Sequence, residues 1–286
     1  METFTTPAAM QAWADAARAA GHRIALVPTM GALHAGHLAL VAEARRRAER
    51  VVVSIFVNPI QFDRRDDFER YPRTLDDDAA MCAAAGVDAI YAPAAAAMYP
   101  EGFQSSVEVA SLTEPLCGKA RPGHFRGVTT VVTKLFHAVR PQLAVFGEKD
   151  WQQLAVVRRM TADLDFGIEI LGVPTVREAD GLALSSRNRR LGVEDRLVAR
   201  RVPEALAAAA AAVAEGETRA AAVLARATAV IAADPRARLE YAELRHPETL
   251  GEVDEVAAPT LLALAVWVGG VRLIDNRVLV PGGQDR

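Results

Sequence analysis

The sequence predicts an α/β protein with a doubly wound parallel sheet, followed by a smaller α+β region. Two observations indicate the parallel sheet. Continuous apolar runs rich in Val and Ile occur at 24–28 and 51–57, and a helical pattern lies between them at 37–49. Such runs are typical of parallel strands buried on both faces, and their alternation with a helix predicts a βαβ unit. A third observation indicates the second region, because the alternation stops after about residue 175.

The alternation continues through the rest of the first part. Gly86 predicts the end of a helix over 75–85, because glycine commonly follows a helix C-terminus. Apolar residues recur at helical spacing from Val128 to Val139 and predict an amphipathic helix over 128–139. The further elements are predicted as strands at 88–92, 143–147 and 168–173 and a helix at 151–164.

The second part has helical and strand patterns that do not alternate. They are two Ala-rich helical stretches at 194–214 and 217–233, separated at Gly216, and strand patterns at 239–245 and 261–280. Helices followed by strands are typical of an α+β arrangement. We therefore expect two domains, one over 1–175 and one over 176–286.

Composition excludes several classes of protein. The 286 residues include 33 Lys and Arg against 36 Asp and Glu, so no overall basic charge favours nucleic-acid binding. Cys82 and Cys117 are the only cysteines, which excludes a disulfide scaffold and a Cys-x-x-Cys metal site. The sequence has neither a secretory signal pattern nor an apolar run of membrane-spanning length. We expect a cytoplasmic protein without nucleic-acid or membrane partners.

The first candidate site follows the first predicted strand. Ligands of parallel sheets bind beyond the carboxyl ends of the strands, and here Gly31, His34, Gly36 and His37 occupy that position. Glycines allow close approach of a phosphate chain, and a helix N-terminus attracts anions. Histidines three apart in a first helical turn lie on one side, where imidazoles can stabilise transition-state charge. The alternative is that one histidine caps the helix and the other is a core residue.

Two amides follow the second predicted strand, Asn58 and Gln61. Amides offer donors and acceptors without charge, which suits recognition of hydroxyl and carboxylate groups. Asn-Pro turn chemistry explains Asn58 as an alternative but leaves Gln61 unexplained.

A third cluster follows the strand at 143–147. Lys149 can neutralise a phosphate, and Gln153 can face the same crevice. Asp150 belongs to the same charged cluster, and its alternative role is to cap the helix that follows. The run 185–190, which begins with Ser185, Ser186 and Arg187, combines hydroxyls with three arginines and predicts a triphosphate clamp, with a solvated basic loop as the alternative.

Two further groups are ambiguous. The run that includes Asp77 and Asp78 can supply oxygen ligands to Mg²⁺, but acidic residues are also common in a first helical turn. Arg121, His124 and Arg126 can face an anionic substrate or belong to a structural helix entry.

Taken together, these segments resemble the pantothenate synthetase (pantoate–β-alanine ligase) family, within the nucleotidylyltransferases that carry a His-x-Gly-His motif. The resemblance spans about 28–191. The matching segments are PTMGALHAGHLAL (28–40), FVNPIQF (56–62), YPRTLDDD (71–78), RPGHFRGV (121–128), FGEKDWQQL (146–154) and SSRNRRL (185–191). Small departures at Ala39, Trp151 and Arg190 touch none of the expected ligand residues.

The resemblance implies a Rossmann-like catalytic domain, a C-terminal lid domain and a homodimer formed through the N-terminal domain. It implies that ATP and (R)-pantoate form pantoyl adenylate, which the amine of β-alanine converts to pantothenate. His37, His34 and Lys149 would be catalytic, Gln61 and Gln153 would bind pantoate, and Gln61 would border β-alanine. Mg²⁺ would accompany ATP. The implied ATP-binding residues are Met30, Gly31, Ala32, Leu33, His34, Ala35, Gly36, His37, Gly147, Glu148, Lys149, Asp150, Val176, Leu184, Ser185, Ser186 and Arg187.

Three other functions remain as alternatives. They are a nucleotidyltransferase that stops at nucleotide transfer, a fragment related to aminoacyl-tRNA synthetases, and a non-catalytic nucleotide-binding module. The first has no evident need for Gln61 and Gln153, and the second would need a basic surface that the composition does not indicate.

Overall fold

The computed structural model describes residues 1–282, and the chain divides into two compact units. The first unit comprises Met1–Glu148 and Val156–Pro174, and the second comprises Lys149–Ala155 and Thr175–Arg286. The predicted boundary between 175 and 176 stays a prediction.

The first unit contains a six-stranded sheet in which all neighbouring strands are parallel. Its order is β1-β4-β3-β2-β5-β6. After β2, the chain adds β3 and β4 on one side of that strand and then β5 and β6 on its other side, so the strand order reverses between β2 and β5. The predicted fold class is confirmed. A crevice for ligands is expected where the strand order reverses. The strands are β1 (Glu2–Phe4), β2 (Ile24–Thr29), β3 (Arg50–Ile55), β4 (Ala89–Tyr91), β5 (Leu143–Gly147) and β6 (Glu169–Val173).

Helices connect these strands. They are α1 (Pro7–Ala19), α2 (Ala35–Arg47), α3 (Arg65–Glu69), α4 (Leu75–Ala84), α5 (Ala95–Met98), α6 (Cys117–Ala120), α7 (His124–Val139) and α8 (Trp151–Asp163). Leu40 and Val41 of α2 and Cys82 of α4 share one buried apolar cluster with residues of β2, β3, β4 and β5. Helices α1 and α7 contact each other and β2. The sheet therefore has helical cover that excludes water from its apolar strands, as their composition predicted.

Helix α7 begins four residues before the predicted start at 128. Its N-cap, Gly123, has a positive φ of 82°, a conformation that glycine adopts without strain. The first turn then packs on the segment 59–61, where a Cβ at position 127 would lie 2.4 Å from the carbonyl oxygen of Ile60. The prediction left out this turn, although the buried Phe125 continues the apolar spacing from Val128 toward the N-terminus.

The N-terminal elements β1 and α1 were not predicted. Helix α1 begins after Thr6, whose side chain accepts a hydrogen bond from the backbone N–H of Ala9, with Pro7 at the first helical position. This is a common start for a helix. The signal was present in the sequence, but strand β1 has only three residues and no pattern of its own.

The second unit combines helices with a three-stranded antiparallel sheet, β7-β8-β9. Its elements are α9 (Val193–Ala199), α10 (Arg201–Ala214), α11 (Ala220–Ala232), β7 (Arg238–Arg245), β8 (Thr260–Val268) and β9 (Val271–Leu279). The predicted helix 194–214 is divided at Arg200, and the predicted strand stretch 261–280 is a hairpin that turns at Gly269 and Gly270. Both glycines have positive φ, which explains why the turn occurs there.

Within residues 1–282, no helix is long and apolar enough to cross a membrane.

Candidate active site

The loop between β2 and α2 is held by a buried carboxylate. Asp78 of α4 is 1% exposed, and its oxygens accept hydrogen bonds from the backbone N–H groups of Ala32 at 2.9 Å and Leu33 at 2.7 Å. Thr29 adds a second brace, because its hydroxyl donates to the carbonyl of Ser54 and accepts from the N–H of Gly31. The loop is therefore preorganised by the protein itself.

The same loop has an unusual backbone conformation. Gly31 has φ +82° and Ala32 has φ +51°, and left-handed geometry is costly for a residue with a side chain. A Cβ on Gly31 would lie 3.0 Å from Asp78 Oδ2 and 3.1 Å from Ile55 Cγ2. The hydrogen bonds from Asp78 hold Ala32 in this conformation, and the absence of a side chain at Gly31 lets the carboxylate approach.

Both histidines of the motif stand at the start of α2. His34 is the N-cap, and its Nδ1 accepts a hydrogen bond from the N–H of Gly36 at 3.2 Å. A neutral His34 ring therefore carries its proton on Nε2. The rings of His34 and His37 lie with centroids 4.1 Å apart at an angle of 32°. The capping alternative holds for His34, yet the two imidazoles also lie together at a helix N-terminus, a position that favours anions.

The acidic run at the start of α4 divides into two roles. Both carboxylate oxygens of Asp78 are engaged by the loop amides, and Oδ2 also accepts from the Thr74 hydroxyl at 3.3 Å. This geometry argues against Asp78 as a magnesium ligand, because its acceptor directions face backbone donors. Asp77 is exposed, and its ligand role stays a prediction. Within residues 1–282 no group of three or more His, Cys, Asp or Glu is arranged to hold a metal.

Gln61 lies at the end of the short 3-10 helix Pro59–Gln61, after β3, and is 9% exposed. Asn58 is 1% exposed, and its Nδ2 donates to Gln61 Oε1 at 2.9 Å and to the carbonyl of Gly127 at 3.1 Å. Tyr99 donates its hydroxyl proton to Asn58 Oδ1 at 2.7 Å. The nitrogen of the Gln61 amide lies 3.2 Å from Met30 Sδ, so the predicted pantoate residue borders the predicted ATP loop.

The 121–127 segment holds the backbone of Gln61. His124 Nδ1 donates to the carbonyl of Gln61 at 2.7 Å, and Arg121 donates to the same carbonyl at 3.3 Å. Arg121 also forms an ion pair with Asp63. The side chain of Arg126 is exposed. Arg121 and His124 therefore have a supporting role at this site.

Gly147 ends β5 and Glu148 follows it; β5 is the strand that pairs with β2 on the other side of the strand-order reversal. The two predicted segments Met30–His37 and Gly147–Glu148 thus leave neighbouring strands at the same edge of the sheet. Burial raises the pKa of the Glu148 carboxyl, an effect that the positive charge of Arg158 opposes.

The other predicted ATP residues belong to the second unit. The carbonyl of Lys149 accepts a hydrogen bond from Asn276 Nδ2 at 2.9 Å, and Lys149 Nζ lies 3.8 Å from an Asp150 carboxylate oxygen. Trp151 donates its indole N–H to the carbonyl of Pro247. Gln153, on the first turn of α8, is partly exposed.

Val176 and Leu184 are the ends of a narrow hairpin. The N–H of Leu184 donates to the carbonyl of Val176 at 3.0 Å, and Arg177 and Ala183 form a β-bridge between them. Arg177 also makes two hydrogen bonds to the carboxylate of Asp275, which is 2% exposed. Asp275 and Asn276, adjacent on β9, therefore hold the Val176 hairpin and Lys149 respectively.

The Ser185–Arg187 segment is fixed by a polar cluster at its base. Ser185 caps the 3-10 helix Ser186–Arg190 and accepts from the N–H of Arg187. Asn188 donates to Glu178 and to the carbonyl of Ala183, and Arg196 pairs with both Glu178 and Asp180. The hydrogen bonds from Arg196 lower the pKa of both carboxyls.

The residues that support the site were not predicted from the sequence. Tyr99, Glu178 and Arg196 lie outside the motifs, and Asn188 lies within SSRNRRL but had no role assigned to it. Their side-chain partners are 10 to 41 residues away along the chain. No local pattern reports such pairings.

Comparison with known proteins points to one family. A family model described as pantoate-beta-alanine ligase matches residues 2–278. Pantothenate synthetases of Moorella thermoacetica and Syntrophobacter fumaroxidans are each 52% identical, over 279 and 281 residues, covering 98% of this chain and 99% of each relative. The crystal structure of pantothenate synthetase from Thermus thermophilus matches with a TM-score of 0.93 and 46% identity, covering 98% of this chain and 100% of that one.

One solved relative contains ligands. The crystal structure of pantoate-beta-alanine ligase from Francisella tularensis, complexed with beta-gamma ATP and beta-alanine, matches with a TM-score of 0.81 and 31% identity. The match covers 97% of each chain.

Proposed function

This chain belongs to the pantoate–β-alanine ligase family, and from that premise we propose that it joins pantoate to β-alanine with cleavage of ATP to AMP and pyrophosphate. The observation that carries the proposal is the paired imidazoles of His34 and His37 at the N-terminus of α2, beside the reversal of strand order. The N-terminus of a helix offers backbone N–H groups to an anion without any overall basic charge, which suits a substrate that carries phosphates.

In the first step, a carboxylate oxygen of pantoate attacks the α-phosphorus of ATP. The bond from that phosphorus to pyrophosphate breaks, and pantoyl adenylate forms. Alignment of the carboxylate and neutralisation of the departing charge are the two tasks of the protein. We assign charge stabilisation and proton donation to His37, with His34 beside it. Phosphate binding is assigned to Lys149 and the segment Ser185–Arg187.

In the second step, the amine of β-alanine attacks the acyl carbon of the adenylate. A carbon–nitrogen bond forms, the bond to AMP breaks, and the amine loses a proton. We assign pantoate binding to Gln61 and Gln153 and a place beside β-alanine to Gln61. The remaining ATP contacts are assigned to Met30–His37, Gly147–Asp150, Val176 and Leu184–Arg187.

We propose Mg²⁺ only as the companion of the ATP phosphates, because Mg²⁺ commonly keeps several waters and relies on substrate phosphates. The engaged carboxylate of Asp78 does not fit as its ligand, and no step depends on the ion here. A homodimer formed through the N-terminal region and a cytoplasmic location are further proposals. Sedimentation of the purified chain tests the former.

The decisive experiment is exchange of labelled pyrophosphate into ATP without β-alanine. We expect exchange that requires pantoate, because adenylate formation is reversible and needs only the first substrate. With β-alanine added, AMP and pantothenate should appear in equal amounts. Exchange that is independent of pantoate would favour a simple nucleotidyltransferase and contradict the proposal. Exchange that requires a different acceptor, with no ligated product after β-alanine is added, would do the same.

A further inference from the structure

We propose that Tyr99 and Asn58 are positioning residues that lock the Gln61 amide in one orientation, with its nitrogen as the donor offered to pantoate. This inference rests on the proposed function, since it concerns how the pantoate residue is presented. It assigns a role to Tyr99, which lies outside every motif of the site.

The orientation of Asn58 follows from a backbone carbonyl. The Asn58 side chain lies 3.1 Å from the oxygen of Gly127, and a carbonyl oxygen can only accept. The atom that faces it must therefore be Nδ2. Gly127 cannot shift away from this contact freely, because its helix turn packs so closely on segment 59–61 that even a Cβ would overlap Ile60.

The orientation of Gln61 follows from that of Asn58. The same Nδ2 lies 2.9 Å from the Gln61 side chain, so the atom that accepts there must be Oε1. Both protons of the Asn58 amide are then used. The Gln61 nitrogen is left on the other side, 3.2 Å from Met30 Sδ, a weak acceptor that a substrate oxygen can replace.

Tyr99 forms the other end of this chain of hydrogen bonds, which runs through Asn58 to Gln61. Its hydroxyl lies 2.7 Å from Asn58 Oδ1, which no other described group occupies, and its ring packs against Phe56 and Phe103. Burial raises the pKa of Tyr99 above its ordinary value, so the hydroxyl keeps its proton and remains a donor. The carbonyl of Gly127 selects the orientation of Asn58, because it can only accept, and the Tyr99 hydroxyl stabilises that orientation by donating to Oδ1.

The consequence is selectivity for acceptor groups. Pantoate offers carboxylate and hydroxyl oxygens, all of which can accept from a Gln61 N–H. An amide already fixed in this orientation loses little rotational freedom when substrate binds. If Asn58 were free to turn, Gln61 could present its oxygen instead and repel the carboxylate.

The test compares Tyr99→Phe with Tyr91→Phe. Tyr91 is a matched control, because it is buried on β4 and its hydroxyl donates a hydrogen bond to Met98 Sδ, outside the chain of hydrogen bonds from Tyr99 to Gln61. We expect Tyr99→Phe to raise KM for pantoate about tenfold in pyrophosphate exchange, the scale of one hydrogen bond to a polar partner. KM for ATP should stay within twofold of wild type, and Tyr91→Phe should leave both KM values unchanged.

Gln61→Glu supplies the second arm. Its carboxylate still accepts from Asn58 but offers no donor, so pantoate-dependent exchange should fall by a hundredfold or more while ATP binding persists. Three results would overturn the inference in an active wild type: equal KM values for the two tyrosine variants, a parallel rise in both KM values for Tyr99→Phe, or normal exchange by Gln61→Glu. Absence of pantoate-dependent exchange in the wild type would instead refute the proposed function.

Discussion

The carboxylate of Asp78 accepts a 2.7 Å hydrogen bond from the backbone N–H of Leu33, 45 residues earlier in the chain. With the matching bond from Ala32, it ties the start of α4 to the loop that carries both histidines. Asp78, part of the acidic run that suggested a metal site, therefore has a structural role. Hydrogen bonds from backbone N–H groups to an ionised carboxylate are among the stronger ones in proteins.

Removal of this carboxylate should destabilise the protein. Asp78→Ala leaves two buried N–H groups without acceptors, and we expect a loss of about 3 kcal/mol in the free energy of unfolding. Urea denaturation measures it. Asp77→Ala is the matched control, since Asp77 is exposed on the same turn, and a change within about 0.5 kcal/mol is expected. Equal effects for both variants would refute the structural role of Asp78.

The close approach at Gly31 gives a second prediction. Gly31→Ala adds left-handed strain and places a Cβ 3.0 Å from Asp78 Oδ2. Gly21→Ala is a matched control, because Gly21 has φ +80° and nothing within 4 Å of the added Cβ. We expect both variants to lose about 1 kcal/mol from backbone strain, and Gly31→Ala to lose measurably more stability and kcat/KM. If the two are indistinguishable in thermal unfolding and exchange, the crowding is unimportant.

Substitution of His37 should reduce activity far more than substitution of a histidine outside the site. We expect His37→Ala to lower kcat for adenylation by two to three orders of magnitude, about the scale of removing one transition-state donor. His137→Ala removes an exposed histidine from the last turn of α7 and should have little effect. A decrease below tenfold for His37→Ala in single-turnover measurements would remove this residue from the mechanism.

His34 requires its own variant, because it also caps α2. His34→Asn retains a capping side chain, whereas His34→Ala removes it. Both should lose activity, but only His34→Ala should lose about 1 kcal/mol of stability as well. Similar unfolding curves for the two variants would show that the cap is dispensable.

The Arg196 cluster predicts a pH dependence. Hydrogen bonds from Arg196 lower the pKa of Glu178 and Asp180 in the folded protein. A lowered folded pKa gives stability that is present above the unfolded pKa, about 4 for such groups, and that is lost as the pH falls through the folded value. Arg196→Met should therefore be less stable than wild type at neutral pH, by about 1 kcal/mol after solvent screening.

The stability difference should shrink as the pH falls below about 4. Thermal unfolding at several pH values tests this, with Arg189→Met as the control because Arg189 is exposed in the same segment. A difference that is constant with pH would show that Arg196 acts through packing instead. The same variant should raise KM for ATP more than KM for pantoate, since the cluster supports Ser185–Arg187.

The sequence by itself determined the parallel strands, the βαβ alternation and the motif segments. Continuous apolar runs and helical spacing are local signals, and they placed β5 at its observed bounds and α4 and α8 within one residue of theirs. The prediction left out the first turn of α7 and the break at Arg200. The turn packs on segment 59–61, although Phe125 continues the apolar spacing there, and the break lies within a continuous helical pattern.

Only the tertiary structure decided how the side chains share their hydrogen bonds. The sequence offered Asp78 as a metal ligand or a helix-start residue, and Gln61 as an amide of unspecified orientation. Folding brings Asp78 to Leu33 and Tyr99 to Asn58 across tens of residues, and a buried polar group must take the partners it meets there. The chemistry of each residue is therefore local in origin, but its orientation is a property of the fold.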